Sequence, residues 1–233
     1  MLTVHHLNNS RSQRVLWLLE ELGVPYEVKR YERNPATMLA PPELRAIHPL
    51  GKSPVIEENG VVTAETGAII EQILSEIPGN ALKPAPGTEG ARRLTYWLHY
   101  AEGSAMTPLL LKLVFGALPN RSPGLMKPLV NAISKKAQSG FIDPQIAAHT
   151  AYWEGELSKT AWFAGDQFTA ADIMMSFPLE ACSSRAPFGL DRPRCSAFLK
   201  AIHARPAYQR ALERGGPYAY ARGGQSVLPA TAG

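Results

Sequence analysis

Every stretch with strand character in this chain lies before residue 65, and everything after residue 88 reads as punctuated helix. That segregation restricts the fold more than any other feature. LTVHHL (2–7) and YEVKRY (26–31) predict short strands around a helix over 11–23, whose apolar spacing stops at Gly23 and Pro25. PPELRAIHPLG predicts a short helix from near Pro42, broken before Pro49. SPVIEENGVVTAET reads as strand, turn, strand, with the preferred two-residue hairpin loop at Asn59-Gly60. GAIIEQILSEI follows as a helix ending at Pro78 and Gly79. A strand-helix-strand unit crosses over right-handed and pairs in parallel, so the order βαβ, α, ββ, α implies a four-stranded mixed sheet faced by helices. KPAPGTEGA, dense in Pro and Gly, predicts a linker. Helical spacing then recurs over 89–118, 123–158, 170–186, 192–203 and 206–214. The expected organisation is an α/β domain over 1–80, a linker over 81–88 and an all-helical domain over 89–233. The tail GGPYAYARGGQSVLPATAG is expected to be loose or laid over the surface.

Composition excludes several classes of function. With 45% hydrophobic and 19% charged residues, the 233-residue chain can bury a core and is not disordered. Its net charge of +4 comes from scattered bases without a run, which argues against nucleic acid and suits a site for small anions. MLTVHHLNNS lacks a signal peptide's basic and apolar segments, and no apolar run approaches 18 residues, so a cytoplasmic protein with no membrane partner is expected. Cys182 and Cys195 have no CxxC or ligand spacing, so they read as two buried thiols. Histidines 5, 6, 99, 149 and 203 form no ligand set, so no metal is expected.

Four motifs remain. The helix over 11–23 is preceded by the polar run NNSRS, more than one capping residue would require. GKSPVI opens the third strand and ETGAII opens the helix after the hairpin. GDQFTAADIMMS contains Thr169 and Asp172 at capping-box spacing, with Phe168 placed for a hydrophobic staple, and reads as a folding element. This order of elements, with Ser53-Pro54, Glu65-Thr66 and FAGDQFTAADIMM at these places, resembles the soluble glutathione transferases, closest to bacterial and fungal members with a serine in the first turn. The likeness runs from about residue 2 to 214. It implies a thioredoxin-like domain that binds glutathione as co-substrate, a helical domain that supplies an acceptor pocket, a homodimer and a role in detoxification.

The chemistry can be set against these residues. An ordinary thiol has a pKa near 8.5, so roughly 3% is ionised at pH 7, and making the thiolate dominant needs a shift of about 2 units, or about 2.7 kcal/mol. A hydroxyl donating to the anion supplies about 1.5–3 kcal/mol and a helix N-terminus about 0.3–1 more. Ser10, just ahead of the first helix, matches the family's catalytic serine, with Asn9 and Asn8 as neighbouring donors; the competing reading is a helix cap. Glu65 matches the acid that holds the γ-glutamyl ammonium, and Thr66 with the helix's free amides would hold the carboxylate. For Ser53-Pro54 the resemblance implies a cis peptide bond and backbone contacts to the cysteinyl part of glutathione. Lys52 is a candidate for the glycyl carboxylate, and His48 for a further contact. Tyr100 and Ser104 offer polar tips to an acceptor pocket, whereas Trp97 reads as core or dimer contact. The expected function is conjugation of glutathione to a small hydrophobic electrophile. The alternatives are reduction of a hydroperoxide and a noncatalytic binding or regulatory module.

Overall fold

The computed structural model describes residues 1–185, 188 and 190–221. Strand β1 (Leu2–Leu7) leads into helix α1 (Ser12–Leu22), which stops where Gly23 takes φ 65° and returns the chain as β2 (Tyr26–Tyr31). Helix α2 (Pro42–Ile47), the hairpin β3 (Val55–Glu58) and β4 (Val61–Ala64), and helix α3 (Thr66–Glu76) complete this half. The sheet order is β2-β1-β3-β4, with β1 parallel to β2 and antiparallel to β3. Asn59 and Gly60 both have positive φ (51° and 80°), as the tight hairpin turn demands. The thioredoxin-like mixed sheet read from the sequence is the one observed.

Seven helices follow among the described residues: α4 (Glu89–Tyr100), α5 (Met106–Ala117), α6 (Lys127–Ala137), α7 (Asp143–Lys159), α8 (Ala170–Ser183), α9 (Pro193–His203) and α10 (Pro206–Gly215). Two breaks were not anticipated. Five-residue π-helical turns, Ala101–Ala105 and Gln138–Ile142, join α4 to α5 and α6 to α7. Helix α8 is buried along its whole length and starts with the expected capping box, in which the Thr169 N–H donates to Asp172 Oδ2 at 2.8 Å. By length and mean hydropathy (1.2), the continuous helix Glu89–Arg121 would pass for a membrane span, but its apolar residues divide between the core and an exposed face.

Helix α1 is buried from Ser12 to Leu19, which no one-sided amphipathic helix would be. Val15, Leu16 and Leu19 belong to one core with Val4, Ile56, Ile69 and Ile73, while Trp17 stacks edge-on against Tyr208 of α10. Each such side chain contributes about 1.5–3 kcal/mol on burial. The helical half therefore closes over α1 as the sheet does, and the two halves share a core. Trp97 is fully buried, with its Nε1–H donating to the Phe163 carbonyl. Cys182 and Cys195 are free and buried.

Of the two alternatives for the tail, loose or laid over the surface, the segment as far as Ala221 takes the second and is packed down. Tyr218 and Tyr220 are buried, the Tyr218 hydroxyl donates to Glu180 Oε2 at 2.7 Å, and the Ala219 N–H donates to Asn9 Oδ1 at 2.8 Å. Two tyrosines supplied apolar area enough to hold a Gly-rich segment in place. The helix expected to reach 186 ends at Ser183, and residues 222–233 lie outside the described residues.

Candidate active site

The turn after β1, the turn before β3 and the start of α3 meet at a cleft of about 210 Å³. It is lined by Arg11, His48, Leu50, Lys52, Ser53, Pro54, Ala64, Glu65, Thr66 and Glu102. The six residues expected to hold the peptide, His48, Lys52, Ser53, Pro54, Glu65 and Thr66, all face it. A larger hollow of about 440 Å³ beside the β2–α2 loop is lined by Arg33, Asn34, Arg45 and neighbours and contains none of them.

At one end of the cleft the polar groups are neutral. Ser10 is only 4% exposed and lies behind the cleft wall, its Oγ 3.4 Å from Ser53 Oγ. Ser53 uses its hydroxyl on the framework, donating to the His5 carbonyl at 2.8 Å and accepting from Leu7 N–H at 3.2 Å. Its backbone is left for a ligand, and the Ser53-Pro54 bond is cis. Ser10 does not cap α1 from the N-cap position, which belongs to Arg11; its oxygen accepts from Ser12 N–H at 3.3 Å. Asn9 has φ 49° and spends its amide oxygen on Ala219, while Asn8 spends its own on the Arg33 N–H. Much of the polar run therefore anchors neighbouring segments.

At the other end the groups are charged. Arg14 of α1 is 1% exposed and donates to Thr66 Oγ1 at 3.3 Å, to the Met174 carbonyl at 2.8 Å and to Glu102. Arg11 binds the same carboxylate through Nε, 3.0 and 2.9 Å from its two oxygens. Burial pushes the Glu102 carboxyl up, but Arg14 and Arg11 together hold it below the usual carboxylate range. Glu65 sits at the N-cap of α3 with φ 71°, a left-handed conformation that costs a non-glycine residue about 1–3 kcal/mol and is typical of functional positions. Thr66 is the first residue of α3, so its hydroxyl lies beside that helix's unpaired amides. Lys52 is exposed at the rim; His48 is half-buried, its Nδ1 without a protein partner.

Arg11, Arg14 and Glu102 escaped the sequence reading. Arg14 had left a signal, since a guanidinium inside so apolar a helix needs a buried partner. Glu102 left none, because its direction depends on the π-helical turn that carries it. Neither of the two residues expected to line an acceptor pocket lines this cleft. Tyr100 is buried, its hydroxyl 2.5 Å from His149 Nδ1 and accepting from Trp153 Nε1–H at 3.0 Å. Ser104 is exposed and does not line the cleft.

Residues 10–75 match the family model for the glutathione S-transferase N-terminal domain, and residues 125–214 match that for its C-terminal domain. The chain is 32% identical over 219 residues to glutathione S-transferase 3 of Schizosaccharomyces pombe, covering 92% of this chain and 88% of that protein. It is also 32% identical over 225 residues to glutathione S-transferase 1 of Saccharomyces cerevisiae, covering 92% and 95%. A solved glutathione S-transferase from Actinobacillus pleuropneumoniae superposes with a TM-score of 0.75 at 32% identity, covering 95% of this chain and 96% of that one. Fold, paired domain models and full-length likeness agree: the chain belongs to the glutathione S-transferase family.

Proposed function

We propose that this glutathione transferase binds glutathione with its sulfur against Ser10 and its γ-glutamyl group at Glu65, Thr66 and Glu102, and delivers the thiolate to a small hydrophobic electrophile. One observation carries the reading: a buried hydroxyl beside the start of α1 stands 3.4 Å from Ser53 in the wall of a cleft whose other end holds Glu65, Glu102, Thr66 and a helix N-terminus. The Ser10 hydroxyl donates to the sulfur, and the thiol proton leaves to solvent. A charge-assisted hydrogen bond of about 1.5–3 kcal/mol lowers the thiol pKa by about 1–2 units. The ligand ammonium pairs with Glu65 and Glu102. The ligand carboxylate takes the Thr66 hydroxyl, the first α3 amides and Arg11. Holding the thiolate in one orientation removes much of the entropic barrier to its attack.

The unpaired buried thiols fit a reducing cytoplasm. Leu110, Val114, Leu129 and Ile133 leave an apolar face on α5 and α6 exposed, continued by Leu118 just after α5, which suits contact with a second copy and is tested by sedimentation.

The decisive experiment is an ultraviolet titration of the thiolate of bound glutathione. In Ser10→Ala the pKa should rise by about 1–2 units with affinity for glutathione nearly kept. An unchanged titration would move the role to Asn9 or the backbone. Turnover with a chloronitroaromatic exceeding that with cumene hydroperoxide marks conjugation; the reverse order marks peroxide reduction.

A further inference from the structure

Two buried polar side chains beside Ser10 have no part in that mechanism. Ser12 Oγ stands 2.7 Å from Ser10 Oγ and 2.9 Å from His6 Nδ1. Neither Ser12 nor His6 is more than 2% exposed, so water does not compete for these contacts. The imidazole also meets the Gly215 backbone at the end of α10, and Arg30 is the charged group that bears on it. The result is a chain of contacts, imidazole to hydroxyl to hydroxyl, that ends on the group assigned to the sulfur.

We propose that His6 is a positioning residue which, acting through Ser12, sets whether the Ser10 proton points at the sulfur or away from it. The inference rests on the assignment of Ser10 to the thiolate. A serine hydroxyl has one proton to give and two lone pairs to receive. When the ring proton is on Nε2, facing Gly215, bare Nδ1 accepts from Ser12, and the Ser12 oxygen then draws the Ser10 proton inward. When the ring proton is on Nδ1, it donates to Ser12, Ser12 donates to Ser10, and the Ser10 proton is released to the cleft. Ser53 cannot take Ser12's place, because its own proton is committed to the His5 carbonyl. Three donors aligned in one direction strengthen the last of them.

The change moves one proton from Nε2 to Nδ1 and leaves the net charge of the ring unaltered. His6 stays neutral while it does so, because burial and then Arg30 push its pKa down to about 4. The Gly215 backbone favours the Nε2 form in the empty cleft; a bound thiolate, which needs a donor, favours the Nδ1 form. Binding of glutathione should therefore switch the tautomer.

Three measurements test this on the full-length protein. In Ser12→Ala, the rate below the pKa of the bound thiol should fall about three- to tenfold and converge with the parent at high pH, with KM for glutathione unchanged. His6→Asn, whose amide can donate from near the Nδ1 position, should recover more of the low-pH rate than His6→Phe. The ¹⁵N spectrum of His6 should move from bare to protonated Nδ1 when glutathione is added. A thiol titration in folded Ser12→Ala that overlays the parent, while Ser10→Ala shifts it, would overturn the role of His6 and leave Ser10 standing. No shift in Ser10→Ala would remove both.

Discussion

The two ends of the cleft solve different problems with different chemistry. Around Ser10 the groups are buried hydroxyls and a neutral imidazole, whereas around Glu102 they are a buried guanidinium, a part-exposed one and a part-exposed carboxylate. On the proposed function, a thiolate beside Ser10 would be stabilised by the direction of a few dipoles, so small changes of angle would matter there. The proposed γ-glutamyl end would meet both charges of its ligand at all times, so it would need fixed opposite charges and tolerate less loss. The contrast teaches that catalytic effect and structural effect should separate along the cleft.

The largest effect is expected at the charged end. Arg14→Met removes the buried guanidinium's bonds to the Met174 carbonyl, Thr66 and Glu102, each worth about 1.5–3 kcal/mol, and leaves Glu102, itself about a third exposed, paired with Arg11 alone. Urea unfolding measures it. Pairing the change with Glu102→Gln should return much of the loss, and strict additivity would show that the pair is not coupled. Next comes acid. His6 has its pKa lowered to about 4 in the folded state, so its contribution is present above the unfolded value near 6.5 and is lost as pH falls toward 4. That loss amounts to about 3 kcal/mol, and a denaturant series in His6→Asn should lack it. Third is the split between ends. Glu65→Gln should raise KM for glutathione about tenfold with little change in the bound thiol pKa, the mirror image of Ser10→Ala. Should both variants move the same parameter, the two ends do not act separately. The smallest effect is expected for Asn9→Ala, which frees the Ala219 N–H. A loss of about 1 kcal/mol, read as faster amide exchange over 216–221, is the expected outcome.

The sequence was most informative where a feature is local. Asn59-Gly60, the Thr169–Asp172 capping box and the stop at Gly23 each follow from the conformational preferences of one or two residues, and each is where expected. Ser53, Glu65 and Thr66, which meet at one cleft, stood out in the sequence because they stand at element ends, where free amides and turns collect. The surroundings of Tyr100 were not legible, for the opposite reason. Its position on α4 allowed a place in the cleft or in the helical core, and His149 and Trp153, 49 and 53 residues away, took its hydroxyl. How the tail is held was no more legible, since the Tyr218 hydroxyl is bound by Glu180 of α8.

By itself the sequence determined the order of strands and helices, the mixed sheet, and which turns could receive a peptide, because these depend on short-range sterics and periodic apolar spacing. Only the tertiary structure decided that Glu102 would join Arg11 and Arg14, that Asn9 would hold the tail, and that His6 and Ser12 would stand behind Ser10. Those contacts join residues up to 210 positions apart, and Coulomb and hydrogen-bond energies depend on distances of a few ångströms that no local pattern encodes.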